Sequence, residues 1–134
     1  MAKNLLFTKT HQWFDHETGE VGLTPFAAEQ LGEISFVDVE ALEGSTVEQL
    51  KVDGNEPTSD PLDCTVESSK AVGDIYSPVS GTVTAVNSDL MDEPEKINEE
   101  PFSAWLFKVD ASNFEAEKAN LLDEAAYKKY VASL

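Results

Sequence analysis

The sequence contains no arginine, one cysteine and two histidines, and its nine lysines face 26 acidic residues for a formal charge of −17. A chain this acidic has no basic face with which to meet phosphates, which excludes nucleic-acid binding. The same charge opposes self-association, favouring a monomer, and steers the chain toward basic surfaces on partner proteins. Cys64 stands alone, so no disulfide can close within the chain, and it is read as a buried strand residue rather than a reactive thiol. One cysteine with His11 and His16 cannot complete a structural zinc site, so no metal is expected. No nucleophile triad or phosphate loop can be assembled either, and the expectation is a protein that is not itself an enzyme. No run approaches the ~20 apolar residues of a spanning helix. Met1 to Phe7 lacks the apolar core of a secretory signal, which predicts a cytoplasmic protein with no membrane partner.

What is present suits one domain over residues 1–134, with 41% apolar residues to build a single core. The amino-terminal part predicts a hairpin, with one strand from Leu5 to Phe14, a turn over Asp15 to Gly19, and a second strand from Glu20 to Leu23. His11 is expected as a strand histidine beside Trp13. A helix follows, with Thr24 as its cap, Pro25 at its first position, Gly32 as its stop, and Ala27 and Leu31 on one face. Lys51 to Pro61 is rich in Gly, Pro and Asx residues and predicts a polar loop, either a tolerated surface insertion or a partner contact. Residues about 112–134 read as helical. Ser112 to Glu115 resembles a capping box, Asp123 can cap a second segment, and Tyr127, Tyr130, Val131 and Leu134 form a stripe that faces the core or a docking partner. Gly32 to Asp38 and Gly81 to Asn87 share the pattern Gly-x-aliphatic-hydroxyl-x-Val-Asx, 49 residues apart.

The stretch Glu67-Ser68-Ser69-Lys70-Ala71-Val72-Gly73 lies between β-type runs, Cys64-Thr65-Val66 before it and Ile75-Tyr76 after it, within a hairpin around residues 64–80. Ser68, Ser69, Ala71 and Gly73 are small and turn-permissive, so the turn would hold one ammonium on a long stem with little bulk beside it. A compact amine on such a stem is a frequent target of acylation, and it is also the ordinary form of a solvated surface lysine. On residue types alone both readings stand.

From Glu67 to Gly81 the sequence resembles the lipoyl-lysine hairpin of the glycine cleavage H-protein family, Glu-Ser-x-Lys-Ala followed by Asp and then Ser/Ala-Pro-x-Ser-Gly. The likeness is collinear over nearly the whole chain. Thr8 to Trp13 is similar to the family's His-Glu-Trp strand, and Val21 to Glu33 to its strand, short helix and glycine stop; Val86-Asn87, Glu93-Pro94, Ile97-Asn98 and Trp105 to Lys108 also match. Biotin carriers, which share this fold type, flank their lysine with methionine, whereas Ser69 and Ala71 flank Lys70. The resemblance implies a mainly β, lipoyl-domain-like flattened β-barrel/sandwich hybrid with one short internal helix and a carboxy-terminal helix or helices. Its two quasi-symmetric strand sets would account for the internal echo.

By the same resemblance Lys70 would carry lipoic acid, with Glu67, Ser68, Ser69 and Ala71 as the lipoylation motif. Thr10, Gln12 and Asp74 would line the cleft that shelters the loaded arm. The implied partners are a lipoate ligase or lipoyl transferase, glycine decarboxylase, aminomethyltransferase and dihydrolipoyl dehydrogenase, between which the chain would shuttle an aminomethyl group. Gln12 departs from the family's glutamate, and a carboxylate would hold an ammonium by a bond roughly twice as strong as an amide's. Pro101 to Ala104, before Trp105, is shorter than the family's loop. These departures leave two alternatives: an H-like lipoate-binding protein carrying sulfur intermediates to a heterodisulfide-reductase-like complex in bacterial sulfur oxidation, and a non-lipoylated interaction protein.

Overall fold

The computed structural model describes residues 5–54 and 56–134. The expectations for Met1 to Asn4, and for Asn55 within the predicted loop, therefore lie outside the described residues. Strands β1 (Leu5–Phe7), β2 (Gln12–Asp15) and β3 (Glu20–Leu23) form an antiparallel meander. The single first strand expected from Leu5 to Phe14 is thus two. The chain reverses between Thr8 and His11, closed by Thr8 N–H donating to the Gln12 carbonyl (2.9 Å) and by a positive φ of 71° at His11.

Helix α1 (Pro25–Leu31) forms as its caps predict. The Thr24 hydroxyl accepts from the Ala27 N–H at 3.2 Å, and Gly32, with φ 84°, ends it. After it come β4 (Ile34–Asp38), a 3₁₀ turn at Glu40–Leu42, and β5 (Thr46–Val47). The predicted loop contains a small hairpin, β6 (Val52–Asp53) with β7 (Glu56–Pro57), tied to the β1–β2 turn by the Lys9 ammonium donating to the Gly54 carbonyl at 3.1 Å.

Next are β8 (Thr65–Ser68), β9 (Val72–Gly73) and β10 (Gly81–Val86), then two single-turn helices without a distinct sequence signal, α2 (Asp89–Asp92) and α3 (Lys96–Glu99). The chain closes with β11 (Phe107–Ala111), α4 (Phe114–Glu117), a 3₁₀ turn at Lys118–Asn120, and α5 (Glu124–Ala132). Asp123 caps α5 through its carboxylate, which accepts from the Ala126 N–H at 2.8 Å. The expected box at α4 is not made: Asn113 is the cap residue and its side chain caps nothing.

Strands run in the order β1-β2-β3-β11-β10-β5 in a six-stranded open sheet and β4-β8-β9 in a three-stranded one. Phe14, Val21, Val83 and Phe107 from the first meet Ile34, Val37 and Val66 from the second in one buried cluster, sealed by Ala27, Ala28, Leu90 and Ile97 from α1 to α3. A second cluster of Phe7, Trp13 and Tyr127 fixes α5 to the amino-terminal strands. The Trp13 ring lies across Gly22, where a Cβ would stand 2.5 Å from it. The architecture is the mainly β sandwich hybrid anticipated, with more helical turns than the one internal helix expected. No described helix is long and apolar enough to cross a membrane.

The sequence echo is a structural repeat. β4 carries a register shift between Ile34 and Phe36, and β10 carries one between Val83 and Ala85, the same places 49 residues apart. Ile34 and Val83 are buried, whereas Ser35 and Thr84 sit in the bulge on the exposed side. Each hydroxyl donates to the neighbouring strand's carbonyl, Ser35 to Glu67 at 3.4 Å and Thr84 to Lys108 at 3.5 Å. A bulge bends and twists its strand, so the shared defect gives the two strand sets a shared curvature.

Candidate functional site

The β8–β9 hairpin presents Ser69 and Lys70 at its tip, both exposed. Its tightness comes from Ser68. That residue's N–H donates to the Ala71 carbonyl at 2.8 Å, while its hydroxyl accepts from the Ala71 and Lys70 N–H groups at 3.2 and 3.3 Å. The hydroxyl proton goes to the Leu31 carbonyl at 2.5 Å, bonding the tip to the end of α1. Glu67 pairs across the sheet with Phe36 on one side and Val72 on the other.

The Lys70 stem leans across Gly32, where a Cβ would lie 2.7 Å from the lysine Cε. Gly32 therefore has two duties, a backbone angle that L side chains rarely adopt and an empty Cβ position over which the stem passes. Asn98, on α3, fixes this floor from below. Its amide donates to the Gly32 carbonyl and its oxygen accepts from the Ile34 N–H, both at 2.8 Å. Sequence reasoning took Gly32 as a helix stop and as the start of the internal echo, and Asn98 as a family match without a role. The signal for both is their three-dimensional neighbourhood, which no local pattern encodes.

Thr10 and Gln12 meet beneath the β1–β2 turn. The Gln12 oxygen accepts from the Thr8 hydroxyl at 3.1 Å and, by a short bond, from the Thr10 hydroxyl; its amide donates to the Thr10 carbonyl at 2.9 Å. Gln12 is almost wholly buried, with both ends of its amide engaged. Asp74 stands exposed after β9, and among the described residues its carboxylate makes no hydrogen bond or ion pair. Its charge is felt at Tyr76, where burial, with help from Asp74 and Asp60, raises the pKa of the phenol. A cleft of about 490 Å³ has Thr8, Lys9, Gln49 and Leu122 among its walls but neither Gln12 nor Asp74.

His11 was expected in a strand and lies outside one, whereas His16 falls in the predicted turn. His11 sits in the β1–β2 turn, its ring tilted against Phe26 at 4.5 Å and stacked on Tyr130 at 5.8 Å, with its Nδ1 2.8 Å from the Tyr127 hydroxyl, and burial lowers its pKa. His16 is exposed and stacks on Phe114. Cys64 is half-buried just before β8, and burial, then the charges of Asp63 and Asp38, pushes its thiol up to about 12, so it is unreactive at neutral pH. No group of three or more metal-ligating side chains occurs among the described residues.

Comparison with known proteins converges on one family. The model of the glycine cleavage H-protein matches residues 5–134. A glycine cleavage system H protein from Acidobacterium capsulatum is 44% identical over 130 residues, covering 96% of this chain and 92% of that one. A probable glycine cleavage system H protein from Pyrococcus furiosus is 40% identical over 137 residues, covering 100% and 94%. The crystal structure of a glycine cleavage system H protein from Mycobacterium marinum superimposes with a TM-score of 0.72 at 28% identity, over 99% of this chain and 98% of that one. With this fold and this match over nearly its full length, the chain belongs to the glycine cleavage H-protein family.

Proposed function

We propose that the protein is a non-catalytic lipoyl carrier in which Lys70 bears the lipoyl group. The carrying observation is the tip itself. An exposed lysine stands on a hairpin locked by one serine hydroxyl, beside small residues and above a glycine that leaves its stem room. These residues fit an acylated lysine, because nothing at the tip would clash with a longer arm. When bound, the group supplies a dithiolane that opens to a dithiol and can carry cargo on one sulfur. The chain's own part is to hold Nζ away from the core and keep the tip rigid. Thr10, Gln12 and Asp74 would shelter the arm's far end.

In this reading the carrier takes an aminomethyl group from glycine decarboxylase to aminomethyltransferase and is returned to its oxidised state by dihydrolipoyl dehydrogenase. Membership of the family and the 36–44% identity of the relatives named above and their kin support it. The inward-turned, fully bonded Gln12 amide favours a second reading, transport of sulfur intermediates, since such cargo has no ammonium for a carboxylate to hold.

Both readings require Lys70. The Lys70→Arg variant is expected to melt within about 0.5 kcal/mol of wild type, as exposed substitutions do, and to gain no lipoyl mass. Lipoylation elsewhere in that variant, or turnover without lipoylation, overturns the proposal. Reconstitution with the glycine enzymes then separates the two cargoes.

A further inference from the structure

Paired residues on adjacent antiparallel strands point to the same face of the sheet. Val37, Val66 and Gly73 make one such row, with both valines buried in the core. The next row, Phe36, Glu67 and Val72, therefore faces outward, and Phe36 is 49% and Val72 64% exposed. Single exposed apolar residues are ordinary. Here two flank one carboxylate in a line across three strands, and the line ends two residues from Lys70.

The repeat supplies an internal control. The matching row on the large sheet is Ala85, Lys108 and Glu20, built on the same bulge and the same cross-strand pairing. That row holds its backbone without a large apolar side chain and with the opposite charge at its centre. The fold thus does not require Phe36, Glu67 or Val72 where they stand.

We infer that Phe36, Glu67 and Val72 form a docking strip for the enzyme that acylates Lys70. The inference rests on the carrier reading above. Reach decides the occupant: before modification Nζ stands on a four-carbon stem, so an acylating active site must close over the tip, and the exposed flank the hairpin offers it there is this strip. Enzymes that read the finished arm can stand further off. Charge decides the partner's chemistry. Glu67 and Asp38 lie on this face and Lys70 is the lysine at its tip, so the partner presents an apolar pocket rimmed by arginine or lysine. The edge strand β9 has only two residues, too few for recruitment by strand pairing, which leaves side chains to carry recognition.

The reaction served is amide formation. An activated lipoyl carboxyl, made as the adenylate from lipoate and ATP with release of pyrophosphate, is attacked by neutral Nζ. The amide forms, AMP leaves, and the protons lost by the ammonium pass to the enzyme or to water.

The test uses an ATP-dependent lipoate ligase, lipoate, ATP and the full chain, followed by intact mass with peptide mapping. Phe36→Ala/Val72→Glu, which rewrites the strip's apolar positions as the second row has them, is expected to lower kcat/KM for acylation at least tenfold, through KM. Glu20→Val, on the control row, is expected to match wild type. Circular dichroism and urea melts establish that both variants fold. Variants driven to full modification should be reduced at the wild-type rate by dihydrolipoyl dehydrogenase run in reverse with NADH as the electron donor. Acylation of the strip variant at the wild-type rate, or equal slowing by Glu20→Val, overturns the docking strip while leaving the carrier reading intact. A wild-type chain that takes no lipoyl group at Lys70 overturns the carrier reading and the strip with it.

Discussion

The Ser68 hydroxyl bonds to backbone groups of both the hairpin tip and α1, so its loss strips partners from two elements at once. Ser68→Ala is expected to cost about 1–3 kcal/mol, the range for leaving buried polar groups unpaired. A urea melt with a lower midpoint and unchanged slope would report it, and an unshifted midpoint would contradict it. Cys64 offers a test by pH. Its thiol pKa rises from 9.0 unfolded to about 12 folded, so the unfolded chain gives up this proton first. The associated stability is complete below pH 9 and is lost as pH climbs from 9 toward 12. Between pH 8 and 10 the wild-type urea midpoint should fall further than that of Cys64→Ala, a comparison in which the tyrosines, common to both chains, cancel; parallel curves would refute the assignment.

At the scale of elements, a single hydroxyl joins three of them. The Tyr127 oxygen lies 2.8 Å from His11 Nδ1 and 2.7 Å from the Thr24 hydroxyl, joining α5 to the β1–β2 turn and to the cap of α1. Tyr127→Phe should cost about 1–2 kcal/mol, one or two net hydrogen bonds. Burial lowers the His11 pKa, so the folded state resists protonation; its contribution is complete above pH 6.5 and fades as pH falls below that value. The groups packed on the ring are Phe26, Tyr127 and Tyr130, none anionic at these pH values. His11→Asn tolerates the positive φ and removes the titration, and it should flatten the decline in stability between pH 7 and 5.5. A slope equal to wild type would place the titration elsewhere. The same elements show what a sequence discloses. α1 was legible because Thr24, Pro25 and Gly32 each act within a few residues of one another. The break at His11 was not, since the positive φ there falls on a non-glycine residue held by Tyr127, 116 positions away. Helices α2 and α3 and the β6–β7 hairpin are too short to show a period. Leu134 was expected on the α5 stripe and is 62% exposed beyond the helix end. The place of Lys70 at a hairpin tip was plain because a tight turn is local, whereas which side chains gather around Thr10 and Gln12 depends on contacts between elements far apart in the chain.

For the whole molecule the charge of −17 makes partner encounter an electrostatic event. Raising ionic strength from about 0.01 to 0.15 M shrinks the screening length from ~30 to ~8 Å, and stopped-flow association with a basic partner enzyme should slow several-fold; a flat salt profile would remove steering from the account. Net charge alone cannot tell such a partner which end to approach, because a chain built from two alike strand sets offers two alike faces. The register rows differ at the centre, Glu67 in one and Lys108 in the other. A positively charged visitor meets a carboxylate at the centre of one row and an ammonium at the centre of the other, so the duplication that could have doubled the number of wrong landings carries its own signpost.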